Sequence, residues 1–189
     1  MPVWLRKRPI FLGVLAAALL AAPGLVAQAR AASGKYVNPF ADTNWQVSRT
    51  DMGVDWVPLR PLPVRAIGDA LILGADSHAS WPGHHIIWYQ LLGGGHAGEI
   101  IYVAEHLIKM VPAGRTVHAG QRIAVAMPGY PWIEMGWATP YGSPRAYPCY
   151  HEGKATNSGR EMARFLQHLG APVGDPPGRG PDRPVGTLC

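Results

Sequence analysis

The sequence predicts an all-β domain, mainly antiparallel sheet, with one C-terminal helix. Three observations predict it. Between residues 64 and 133, short apolar runs are broken by Gly and Pro, the pattern of strands joined by tight turns. Helical periodicity is clear only over 158–169, where Met162, Phe165, Leu166 and Leu169 recur at i, i+3, i+4 and i+7. Beyond the N-terminus, no segment approaches the ~20 apolar residues of a membrane helix.

At the start, Arg6, Lys7 and Arg8 precede an apolar run over 10–22 and two small-residue sites, Ala27-Gln28-Ala29 and Ala29-Arg30-Ala31. This is the layout of a secretory signal peptide over 1–31, its apolar core about a dozen residues long and too short to span a bilayer. An uncleaved N-terminal anchor is the alternative. Removing residues 1–31 takes away Arg6, Lys7, Arg8 and Arg30 and no acid, so the formal charge falls from +5 to +1. A chain so close to neutral carries no electrostatic footprint for nucleic acid. The expected location is extracytoplasmic, with no membrane span after signal removal.

The candidate strands are 64–67, 70–74, 85–91, 100–104, 122–126 and 133–137. Gly93-Gly94-Gly95 connects the third to the fourth, and 111–123 reads as a pair of turns around a short exposed hairpin. For the helix, Ser158 is the expected N-cap with Glu161 completing a capping box, and Gly170 and Pro172 stop it. The helix is expected to cover an edge or face of the sheet. Residues 32–171 form the domain. The stretch 172–189, rich in Pro and Gly, is expected to be disordered. Cys149 and Cys189 are the only cysteines, and in an exported chain they can pair. An intrachain bridge, an intermolecular bond and a free thiol all stay open.

Three segments in order carry chemistry. The first is Asp51-Met52-Gly53-Val54-Asp55-Trp56, followed by Pro63-Val64-Arg65-Ala66. The second is Tyr102-Val103-Ala104-Glu105-His106-Leu107, with the turn Val117-His118-Ala119-Gly120-Gln121-Arg122-Ile123 after it. The third is Pro131-Trp132-Ile133-Glu134-Met135. Together they resemble the lysostaphin-type peptidoglycan endopeptidases, zinc hydrolases of a duplicated-hybrid-motif β-fold. There the segments read His-x-Gly-x-Asp, Ala-His-Leu and His-x-His.

Position by position, the resemblance implies Asp51, Asp55 and Glu134 in the places of the metal ligands. It puts His106 and Trp132 in the places of the two assisting histidines. Every altered ligand has become a carboxylate. Nitrogen donors suit zinc, whereas an all-carboxylate set suits calcium, magnesium or manganese. Three carboxylates converging without a cation repel one another, so the site should hold a hard cation or a shared proton.

With a metal, His106 would serve as general base or donor to an oxyanion. Without one, a carboxylate pair could act as acid and base, with Glu134 the candidate acid. A purely structural network is the third reading, in which Asp51 and Asp55 bond backbone amides around a Gly turn and Glu134 pairs with Arg49 or Arg65.

The remaining histidines show no metal-ligand spacing; His84 and His85 are adjacent on a strand start and point to opposite faces. Trp81, Trp88, Tyr89, Tyr130, Trp132 and Trp137 are divided between core and groove, with Trp132 the expected ligand contact. Ser77, Ser80 and Ser143 carry no nucleophile-elbow pattern. The functional expectation is an exported cell-envelope protein with a peptidoglycan-endopeptidase-like domain. Its altered site would bind wall glycan, peptide or another envelope protein. The alternative is an active metal-dependent peptidoglycan hydrolase working through the carboxylates.

Overall fold

The structure is a computed structural model and describes residues 34–174. The expected signal peptide, the tail beyond Gly174 and the Cys149–Cys189 pairing lie outside the described residues. Strands follow in the order β1 (Trp45–Thr50), β2 (Val54–Pro58), β3 (Leu62–Arg65), β4 (Ala70–Asp76), β5 (His85–Leu91), β6 (Ile100–Glu105), β7 (Leu107–Ile108), β8 (Thr116–Val117), β9 (Arg122–Ala126) and β10 (Ile133–Trp137). A 3-10 turn (Tyr147–Cys149) and α1 (Asn157–His168) complete the chain order. The all-β prediction with one C-terminal helix holds.

The strands form a seven-stranded sheet ordered β1-β2-β10-β6-β5-β4-β8 and a three-stranded sheet ordered β3-β9-β7. Every pairing is antiparallel. Because successive strand residues face opposite ways, β6 and β10 sort their side chains cleanly. Ile101 and Val103 of β6 and Ile133 and Met135 of β10 enter the main core with Trp56 and Tyr89. Tyr102 and Ala104 turn to the other face and join a smaller cluster with Ile86. Phe40 stacks on Trp56 at 4.1 Å between ring centroids, capping the β1–β2 end of the core.

The helix packs on the main-core face of β10, β1 and β2, burying Met162 and Leu166. These are core residues, as their spacing predicts. The cap differs from expectation. The N-cap is Thr156, not Ser158, and Glu161 closes no capping box: the Thr156 hydroxyl accepts from Gly159 N at 3.0 Å and donates to the Asp51 carbonyl at 2.8 Å. Local spacing could not decide between the two hydroxyls, because the deciding partner is a carbonyl 105 residues away. Thr156→Ala removes both bonds and is expected to lower stability by about 1–2 kcal/mol, read as a shift in the urea midpoint.

Two further differences matter for the site. β1 and β2 were absent from the predicted strands; in β1, Gln46, Ser48, Arg49 and Thr50 break any apolar run, and in β2 Asp55 interrupts a run of only five residues. β1 pairs only with β2 and lies at the sheet edge, where polar side chains are tolerated. At the other end, Val173 packs against the core, so the segment from 172 is not wholly unpacked.

Candidate functional site

The β1–β2 turn delivers the first two carboxylates. Asp51 N donates to Gly53 O at 3.0 Å, closing the turn, and Asp55 follows on β2. Gly53 allows the turn to press against β10, since a Cβ there would stand 2.4 Å from Met135 O and 2.9 Å from Glu134 Oε1. The register then sets Glu134 directly opposite Asp55, with Ala104 of β6 on its other side. Like charges placed opposite one another across strands are unfavourable, and a structure keeps them only with compensation.

Oxygens of Asp51, Asp55 and Glu134 lie within 4.8 Å of one another, and all three residues are buried. The sequence expectation that these acids share one place is therefore met in geometry. The compensation comes from Arg49, the last but one residue of β1. Its Nε donates to Asp55 Oδ2 at 2.7 Å and stands 3.4 Å from Asp51 Oδ2, while Nη1 reaches Glu152 at 3.3 Å. Arg49 thus pairs with the two aspartates and not with Glu134; Arg65 instead donates to the Gly120 carbonyl. Glu134 is held by a very short hydrogen bond from the Tyr102 hydroxyl. Tyr102 stands opposite Gly136 on β10, two residues along from Glu134, so its ring lies on the same face.

Burial dominates the electrostatics. It raises the Asp55 carboxyl to about 7, with the Asp51 charge adding to it and Arg49 opposing. Glu134 is pushed well above the usual carboxylate range by burial and then by Asp55 and Asp51. Glu105 rises to about 8, again through burial first and Asp55 second. Burial and the Glu134 charge hold the Tyr102 phenol well above its usual value. Arg49 is held protonated, since Asp55 and Asp51 outweigh its own desolvation.

Such a donor set does not fit zinc. Among the described residues, no histidine or cysteine joins the converging group. The oxygens are also engaged, Asp55 by a guanidinium and Glu134 by a phenol. Positive charge in the cluster is supplied by Arg49, which the structural-network reading offers to Glu134 and which pairs with the two aspartates instead.

A cleft of about 450 Å³ opens beside Glu134. Arg49, Glu105 and Glu134 line one part, and Trp81, Trp88, Tyr141, Tyr147 and Tyr150 line another. Tyr141 is 88% exposed and Tyr147 68%, so much apolar ring surface faces solvent. Trp132 is placed otherwise: the Arg49 guanidinium carbon lies 5.7 Å from its ring centroid, and Tyr130 meets it edge-on. It covers Arg49 beside the acid cluster and is not among the residues lining the cleft. His106 sits in the bend between β6 and β7, its Nδ1 buried without a hydrogen-bond partner among the described residues. The residue before it, Glu105, is the one that lines the cleft. Sequence reasoning passed over Glu105 because histidine is the more reactive side chain, and no periodic signal marks the difference.

No protein-family model matches the sequence, and no curated protein matches it. Among solved structures, the chain is similar to lysostaphin in solution, at 20% identity over 82% of this chain and 61% of that one, with a TM-score of 0.47. It is also similar to the antimicrobial peptidase lysostaphin from Staphylococcus simulans (17% identity, 83% of this chain, 59% of that one, TM-score 0.48). A third likeness is to a zinc-containing peptidase from Vibrio cholerae (18% identity, 61% of this chain, 38% of that one, TM-score 0.43). The chain spans less than two thirds of each of these chains.

Proposed function

We propose that this chain is an exported cell-envelope protein in which a peptidase-like domain serves as a binding domain for wall glycan, peptide or a protein partner, and not as a zinc hydrolase. The observation that carries the reading is Arg49, whose guanidinium forms an ion pair at 2.7 Å with Asp55 inside the carboxylate cluster. A side-chain cation there competes with any metal for the same oxygens. The aromatic cleft supports the binding role, because flat rings offer large contact area at little entropic cost. The signal-like N-terminus supports export, and no helix among the described residues is long and apolar enough to cross a membrane.

Purified mature protein is expected to carry divalent metal well below stoichiometry by elemental analysis and to sediment with purified peptidoglycan sacculi. Replacing Tyr141 and Tyr147 together by Ala, both exposed, is expected to weaken that sedimentation while leaving the thermal midpoint unchanged. Stoichiometric metal that is lost in Glu134→Ala, together with chelator-sensitive cleavage of wall peptides, would instead establish the hydrolase.

A further inference from the structure

Regular alternation along β6 would send Glu105 to the core side, since Val103 faces the main core and Ala104 faces the smaller cluster on the opposite side of the sheet. Its backbone instead has φ +88°, a left-handed conformation that a residue with a side chain adopts only under strain. The conformation is held from both flanks, by pairing with His85 of β5 and with Ile133 of β10. As a result the carboxylate lines the cleft, half-buried, with no hydrogen-bond or ion-pair partner among the described residues. Arg49 lies near but is engaged by Asp55 and Glu152. The rings of Trp81, Trp88, Tyr141 and Tyr147 line the same cleft as this unpaired acid.

We propose that the cleft takes a peptide side chain ending in a primary ammonium group, seated on the Glu105 carboxylate with its aliphatic stem between the aromatic rings. The inference rests on the reading of the cleft as a binding site and names its ligand class. A cationic head pairs Glu105 and favours its ionised form, which burial disfavours in the free protein, whereas a ligand without one would bury the carboxyl further and leave it unpaired. Aromatic faces attract ammonium groups and also hold the methylene stem. Glu105 is half-buried in a cleft that shares its walls with aromatic rings, which favours a slim stem. A lysine-type side chain brings its ammonium on methylenes that pack against ring faces, whereas an amine attached directly to a sugar ring has no such stem.

The test uses the blocked tripeptide acetyl-Ala-Lys-Ala-amide, with binding read from the tryptophan fluorescence of the mature protein. Two analogues carry ε-N-acetyl-lysine and norleucine in place of lysine, and glucosamine is a separate arm. The lysine peptide is expected to bind at least about tenfold more tightly than either analogue. Glu105→Gln is expected to abolish that preference while leaving norleucine binding unchanged. Equal binding of the lysine and norleucine peptides, a lysine affinity untouched by Glu105→Gln, or tighter binding of glucosamine each overturns the proposal; the peptide comparison needs no variant to fold. Sacculi separate this inference from the function on which it rests. Sacculi bound equally by wild type and Glu105→Gln would sink the ammonium site and spare the envelope-binding reading. Lysine-peptide binding without sacculus binding would do the reverse.

Discussion

Raising the pH from about 5 to about 8 is expected to destabilise this protein, against the usual trend for carboxylate-rich folds. Asp55 moves from an ordinary 3.8 to about 7 on folding, and Glu105 from 4.5 to about 8, with Glu134 raised as well. Between the unfolded and folded values the native state binds more protons than the unfolded chain, so unfolding free energy falls as pH rises. The contribution of these raised acids is fully present below about pH 4 and is lost progressively as pH passes through each folded value. The Asp55 shift alone corresponds to on the order of 4 kcal/mol from below about pH 4 to above about pH 8, of which about 3 kcal/mol falls between about pH 5 and about pH 8. Asp42, lowered by hydrogen bonds from Asn44, works in the opposite sense, but its contribution is already complete above its ordinary 3.8 and leaves the window unmasked. Urea midpoints at the two pH values decide the matter. A midpoint that climbs with pH would mean that Arg49 keeps the acids ionised and that the cluster is a conventional salt-bridge network.

Gly159→Ala is expected to cost about 3 kcal/mol and to disturb the site, although it lies in a helix where Ala is intrinsically favoured by about 1 kcal/mol. The sign is decided by space. A Cβ on Gly159 would stand 2.1 Å from the Asp51 carbonyl oxygen and 2.9 Å from its carbon. Backbone cannot yield there, because the same carbonyl accepts from Thr156 N at 2.9 Å and from the Thr156 hydroxyl. The first turn of α1 therefore locks the turn that carries Asp51, and a methyl group between them must push the helix off β10 or move the acid. Ser158→Ala, one residue earlier, provides the control. Its buried hydroxyl has no partner among the described residues, so its removal should be nearly neutral. Equal urea midpoints for the two variants would show that the helix start is not pinned to the site.

β3 to β6, β9 and β10 were legible because their apolar runs end at Gly and Pro, and β5, β9 and β10 begin and end where the pattern says; the two-residue β7 and β8 are too short to leave a pattern. β1 escaped because an edge strand can remain polar along most of its length. Yet β1 carries Arg49, the residue that changes the chemistry of the site. The helix was legible from its apolar face, its cap was not. For the acids, position in the chain was readable, while partners were not: Glu134 finds Tyr102 through the register of β10 against β6, and Asp55 finds Arg49 across the β1–β2 turn. His106 and Glu105 differ by one residue, and a single positive φ decides which of them lines the cleft.

What the chain determined by itself was the all-β architecture with its terminal helix and the presence of Asp51, Asp55 and Glu134 in the segments the sequence singles out, because periodicity and residue type are local properties. Which cation neutralises those carboxylates, which acid is left unpaired and how Asp51 is held were decided only in three dimensions. Charge interactions and cross-strand register depend on distances between residues far apart in the chain, and no pattern along the sequence encodes those distances.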